Sequence, residues 1–138
     1  MRDTMKKILL IVIMACLLPA GCTSQKPSYI NISTDQAEKM ISSNKELIVV
    51  DVREESEYSS VQGHVPGAIN YPWSSGIFKE NFQKLNKSNE ILVVCRSGSR
   101  SQAAASFLSD KGYRKVYNMP GGTNQWIKDG HKTEQSIK

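Results

Sequence analysis

Six residues past the middle of the chain, Cys95-Arg96-Ser97-Gly98-Ser99-Arg100, combine the types and spacing that a nucleophilic site needs. They follow the apolar run Ile91-Leu92-Val93-Val94 directly and lead straight into a stretch of helical character. Small side chains and a glycine let successive N–H groups turn inward as an anion-binding nest, and a helix opening there adds the positive end of its dipole. Arg96 and Arg100 add two formal charges. A thiol in that setting is expected to have a lowered pKa and to stand as thiolate, the nucleophilic form. Such a nucleophile needs no general base, and none lies beside it in sequence. The competing description is a small core cysteine ending a strand, because free cysteines are among the most buried residues. The cationic, glycine-containing loop favours the chemical description.

Other residues take more modest roles. Asp51 and Arg53 close a neighbouring strand. Asp51 is expected to orient Arg100 or the loop backbone rather than to do acid–base work, since a buried carboxylate needs partners. Glu57 is expected to pair locally. His64 lies between Gly63 and Gly67 and before Pro66, so it is assigned as a hydrogen-bonding turn residue rather than a general base. Tyr58 and Trp126 are packing residues, and Trp73 either lines the pocket or covers the sheet. His131, in the polar tail, receives no assignment.

The elements that must position these residues follow from the apolar pattern. Leu47 to Val52 and Ile91 to Val94 are continuous aliphatic, β-branched runs, the signature of strands buried on both faces of a parallel sheet. Tyr29 to Ile32 suits a short edge strand, and Ala68-Ile69-Asn70 and Val116-Tyr117 suit two more. Ser33 or Thr34 caps a helix running to about Ile41, and helical stretches follow over Glu54–Tyr58, Phe78–Leu85, Ser101–Asp110 and about Asn124–Lys128. Gly112 stands where a helix-ending glycine belongs. Strands alternating with helices predict an α/β domain, a mostly parallel sheet of five strands flanked by helices on both faces. Chemistry on such a sheet sits beyond the carboxyl ends of the strands, where Cys95 lies.

The 138 residues suit one domain, with average apolar and charged content. Residues 1–21 read as a lipoprotein-type export signal: a cationic start, an apolar run from Ile8 to Leu18, then Ala20-Gly21 before Cys22. That run is too short to cross a hydrocarbon core of about 30 Å as a helix. The lipobox-like residues imply cleavage before Cys22 and its acylation. Pro19, however, stands where an aliphatic residue is usual, so an uncleaved N-terminal anchor is the alternative. Residues 22–28 form a polar tether, 29–130 the domain and 131–138 a polar tail expected to fray. The predicted location is therefore the bacterial cell envelope, on a lipid anchor.

Of the three cysteines, Cys16 leaves with the signal and Cys22 carries the lipid, which leaves Cys95 alone in the domain. No disulfide framework and no CxxC pair for a metal follow from that count, and no cofactor is implied. Of the formal +5, Arg2, Lys6 and Lys7 against Asp3 leave +2 in residues 1–21, so the rest carries +3. Its charges alternate in sign, unlike the concentrated basic face of a nucleic-acid binder.

Four segments resemble single-domain rhodaneses, from about Ile30 to Trp126. Ile48-Val49-Val50-Asp51-Val52-Arg53 with Glu57-Tyr58 matches that family's DVR and E-[FY] pattern. Gly63-His64-Val65-Pro66-Gly67-Ala68-Ile69-Asn70 follows its GHIPGAIN stretch, Cys95 to Arg100 its CxxGxR loop, and Pro120-Gly121-Gly122 with Trp126 its closing GGxxxW. The resemblance implies a sulfurtransferase in which Cys95 takes sulfur from a small anionic donor, thiosulfate or a persulfide. Cys95 then passes it as a persulfide to a thiol or cyanide acceptor. The N–H groups of Arg96, Ser97, Gly98, Ser99 and Arg100 would hold that persulfide, and Arg96 would attract the donor. Related phosphatases and arsenate reductases use a Cys-x5-Arg loop to encircle an oxyanion. The Cys-x4-Arg spacing here is a smaller cradle, which suits sulfur better. The remaining alternative is a non-catalytic rhodanese module that binds or senses at the envelope.

Overall fold

The computed structural model describes residues 28–136. The export segment, Cys16, Cys22 and most of the tether lie outside the described residues. Five strands and five helices alternate along the chain: β1 (Tyr29–Asn31), α1 (Thr34–Ser43), β2 (Ile48–Asp51), α2 (Glu55–Tyr58), β3 (Ile69–Asn70), α3 (Ile77–Asn81), β4 (Ile91–Val94), α4 (Ser99–Asp110), β5 (Val116–Asn118) and α5 (Gly122–Lys128). A 3-10 turn, Phe82–Lys84, follows α3. The sheet order is β1-β5-β4-β2-β3, and every pairing is parallel.

β4 and β2 hold the centre, as their uninterrupted aliphatic runs require. The alternation of strand side chains splits the core in two. Val50, Val52, Ile91, Val93, Cys95 and Val116 meet Ala104, Ala105 and Leu108 of α4 together with Phe78, Leu85 and Tyr113 on one face. Val49, Leu92 and Val94 meet Ala37 of α1 and Trp126 of α5, with Val65, Ala68 and Met119, on the other. Both faces are thus covered by helices, and the edges are the short strands β1 and β3.

Local chemistry sets the helix ends. Ser33 caps α1, its hydroxyl accepting the Gln36 N–H while the Gln36 side chain accepts the Ser33 N–H. Gly112, at φ +87°, closes α4 in a Schellman turn: Tyr113 N–H donates to Leu108 O and Gly112 N–H to Ser109 O.

Three differences from the sequence expectations have clear causes. The helix expected over Phe78–Leu85 begins one residue earlier and ends at Asn81, where the chain tightens into the 3-10 turn: the Phe82 carbonyl takes the Leu85 N–H and, like the Leu85 carbonyl, also accepts the Tyr113 hydroxyl. The last helix begins at Gly122 rather than Asn124, its first N–H groups finding carbonyl acceptors outside the helix. The tail after Gly130 does not fray within the described residues. Glu134 exchanges backbone hydrogen bonds with His64, Trp126 donates to Lys132 O, and the His131 ring packs on Trp126 at 4.6 Å between centroids.

Candidate active site

Cys95 is the first residue beyond β4, the most buried strand, and is itself 1% exposed. The loop it opens folds back at once: the Gly98 N–H donates to Cys95 Sγ at 3.1 Å. Gly98 sits at φ +96° and is the residue from which α4 starts. A Cβ there would lie 1.9 Å from the Pro120 carbonyl oxygen, so no other residue fits without displacing backbone. Gly122 is held the same way from the other side, at φ +59°, with a Cβ 2.5 Å from the Arg96 and Cys95 carbonyl oxygens. Two backbones therefore touch here with no side chain between them.

That contact orients the loop. Thr123 N–H donates to Cys95 O at 2.8 Å and Asn124 N–H to Arg96 O at 3.1 Å. The first turn of α5 thus satisfies its orphan donors on the loop carbonyls. In a trans peptide the N–H points opposite the C=O. With the Cys95 and Arg96 carbonyls turned to α5, the N–H groups of Arg96 and Ser97 face away from it. The N–H groups of Ser97, Ser99 and Arg100 have no acceptor among the described residues. Unpaired N–H donors at a helix start, with the Gly98 N–H already on sulfur, are the groups that an anion-binding nest requires.

The charges are arranged differently from the sequence expectation. Arg100 is not oriented by Asp51; it makes a two-pronged ion pair with Glu57, at 2.7 and 2.9 Å, across 43 residues. That hydrogen bond holds the Glu57 carboxyl below its ordinary value and raises the Arg100 guanidinium. Asp51 is fully buried and pairs with Arg53, whose Nη2 lies 2.7 Å from Asp51 Oδ2. With only Val52 between them, Arg53 folds back on Asp51, whereas α2 carries Glu57 to Arg100 of the loop. The Arg53 guanidinium also donates to Glu57 O at 3.2 Å and Gly63 O at 3.1 Å, tying α2 and the following turn to the sheet. Glu57 pairs locally, accepting the Glu54 N–H at 3.2 Å, and also reaches across to Arg100, while Asp51 pairs with Arg53. Of the two loop arginines, Arg96 is the exposed one, with no carboxylate partner among the described residues.

His64 is buried and lies in an isolated antiparallel bridge with Glu134, just ahead of the turn at Pro66-Gly67. Its ring stacks on Tyr58 at 3.8 Å and 13°, and its backbone pairs with Glu134 in both directions. Tyr58 donates to Ala68 O. Trp73 covers the sheet face, packing on Phe78 and Phe107. Beside the loop opens a cleft of about 250 Å³ lined by Arg53, Ser56, Glu57, Ser60, Gln62, Arg96, Thr123 and Asn124. Cys95 is not in that lining, but its neighbour Arg96 and its hydrogen-bond partner Thr123 are. Sequence reasoning missed Ser56, Ser60, Gln62, Thr123 and Asn124. The Pro-Gly-Gly turn opening a helix signalled the last two, and nothing local marked the others.

One cysteine, the only one among the described residues, opens a Cys-x4-Arg loop at the carboxyl end of a central parallel strand, an arrangement that defines a class of cysteine-loop α/β domains. Residues 33–129 match the rhodanese-like domain family. A Bacillus subtilis relative, YrkF, is 34% identical over 95 residues, which is 69% of this chain and 49% of that protein; the chain spans about half of its length. The thiosulfate:glutathione sulfurtransferase of Saccharomyces cerevisiae is 31% identical over 125 residues, covering 80% of this chain and 88% of that one. Among solved structures, a rhodanese-related protein from Thermoplasma volcanium superposes with a TM-score of 0.66 at 32% identity, over 75% of this chain and 96% of its own. The chain belongs to the rhodanese-like domain family.

Proposed function

We propose that the chain is a sulfurtransferase that carries sulfur as a persulfide on Cys95. The observation that carries this is the Gly98 N–H on Cys95 Sγ within a loop whose neighbouring N–H groups have no protein acceptor. The Cys95 thiolate attacks the outer sulfur of thiosulfate. A new S–S bond forms, the old one breaks, and sulfite leaves with its electron pair. The terminal sulfur, now anionic, takes the place among the loop donors that suits a negative charge. An acceptor thiolate, or cyanide, then attacks that sulfur and returns Cys95 as thiolate. No oxidant or reductant enters the balance.

Arg96 supplies the cation that draws the anionic donor in, since Arg100 is already neutralised by Glu57. The near-complete burial of Cys95 suits a donor that presents one terminal sulfur rather than a phosphate ester. The proposed location is the cell envelope, through acylation of Cys22, supported by the cationic start, the apolar run and the small residues ahead of that cysteine.

Steady-state turnover of thiosulfate and cyanide to sulfite and thiocyanate tests the reading. Ping-pong kinetics in the wild type and none in Cys95→Ala are expected. Absence of turnover with thiosulfate and with a persulfide donor alike would leave a binding module.

A further inference from the structure

All five strands are parallel, and Tyr29, Val116, Ile91 and Ile48 lie in one row across the sheet. The segments leading into these residues therefore emerge at one end, opposite the end where Cys95 lies. That end is basic. Lys45 precedes β2, Lys87 precedes β4, and Lys111, Arg114 and Lys115 precede β5; all five are exposed. The segments touch one another: Lys87 Nζ donates to Lys111 O, Lys115 Nζ to Ser88 O, and Asn89 to Glu46 O. Of the acids at this end, Glu90 is engaged by Asn44 and Tyr117, which leaves Glu46 and Asp110 facing water. The opposite end carries Asp51, Glu54, Glu55, Glu57 and Glu134 against Arg53, Arg96 and Arg100.

The basic end also holds a cavity of about 500 Å³ lined by Phe82, Gln83, Leu85, Lys87, Lys111 and Tyr113. Lys87 and Lys111 border an apolar floor there, Lys87 Nζ lying 5.1 Å from the Tyr113 ring centre and Lys111 Nζ 5.4 Å from that of Phe107. A phosphate with its glycerol stem fits that chemistry.

The chain enters the domain at this same end. Five residues lie between Cys22 and Ser28, and a link of that length reaches at most about 20 Å. An anchor at Cys22 therefore keeps the basic end close to the bilayer, where anionic headgroups attract Lys and Arg over about a Debye length. We propose that this end of the sheet docks on an anionic phospholipid surface, headgroup phosphates lodging between Lys87 and Lys111, so that the Cys95 loop faces away from the membrane. The proposal rests on membrane anchoring through the segment ending at Cys22.

The test uses the full chain, reconstituted into vesicles of phosphatidylcholine alone or mixed equally with phosphatidylglycerol, and floated on a density gradient. A membrane-impermeant amine-acylating reagent then reads each lysine by mass spectrometry. Labelling of Lys45, Lys87, Lys111 and Lys115 is expected to fall about threefold or more in the mixed vesicles, while Lys39, Lys128 and Lys132 stay unchanged. About 1 M salt, with a Debye length of about 3 Å, should restore it. The double variant Lys87→Gln/Lys111→Gln, checked for folding by circular dichroism, should lose the protection at Lys45 and Lys115. A chain that floats with neither vesicle overturns the anchoring, and the docking with it. A chain that floats with both but protects none of the four lysines overturns the docking alone.

Discussion

Replacing Gly98 by alanine should separate a packing requirement from a merely conformational one. Gly130 provides the internal reference: at φ +84° its added Cβ meets nothing within 4 Å. Gly130→Ala therefore suffers only the left-handed backbone cost, about 1–2 kcal/mol. Gly98→Ala, at φ +96°, carries that cost and also sets a Cβ 1.9 Å from Pro120 O, well inside any real contact. Relief requires the 95–100 loop and the 120–123 turn to part by more than an ångström, which strains the Thr123 and Asn124 hydrogen bonds to the loop. Overpacking of that kind adds about 1–3 kcal/mol, and each lost hydrogen bond about 1 kcal/mol. A total of about 4–7 kcal/mol is expected, against about 1–2 for Gly130→Ala. Urea denaturation of both variants measures the difference. Thiosulfate turnover should vanish in Gly98→Ala under conditions where it stays folded and survive in Gly130→Ala. Equal destabilisation of the two, or full turnover in Gly98→Ala, would refute backbone-to-backbone contact as what shapes the loop.

Three further outcomes follow from the charges. Glu57→Gln should lower turnover by freeing Arg100 while costing only about 0.5–1 kcal/mol, because the pair is a quarter exposed. Since pairing with Arg100 depresses the Glu57 carboxyl, its stabilisation is present above the ordinary value of 4.5 and is lost as pH falls through the depressed one. Denaturation curves of wild type and Glu57→Gln should therefore differ at pH 7 and converge in acid. Arg53→Ala strands the fully buried Asp51 and should cost about 3–5 kcal/mol in the same experiment. Arg96→Ala should leave stability within about 0.5 kcal/mol, yet raise the KM for thiosulfate, with a weaker dependence on ionic strength than the wild type shows.

Local signals carried far in this chain. The runs Ile48–Val50 and Ile91–Val94 are apolar without alternation, and only a strand covered on both faces uses such a run, so the central pair and its parallel sense were legible. Ser33 with Gln36 and the Lys111-Gly112 ending marked helix limits through chemistry confined to a few residues. The loop was legible because cysteine, glycine and helix start are contiguous. Its charge pairing was not. Asp51 and Glu57 are both acids near Arg53, and choosing between them for Arg100 depends on where α2 sits over the sheet, which no local pattern encodes. The tail failed for a similar reason: Lys132 and Glu134 look like solvated residues, yet their backbone groups serve Trp126 and His64.

Intact mass spectrometry after a single incubation with thiosulfate tests the central claim most directly. The wild type should gain the mass of one sulfur atom, release one equivalent of sulfite, and lose the added mass on treatment with cyanide, with the label mapping to the peptide that holds Cys95. Cys95→Ala should gain nothing. Unmodified wild type with either thiosulfate or a persulfide donor, or sulfur addition that persists in Cys95→Ala, would contradict Cys95 as the sulfur carrier.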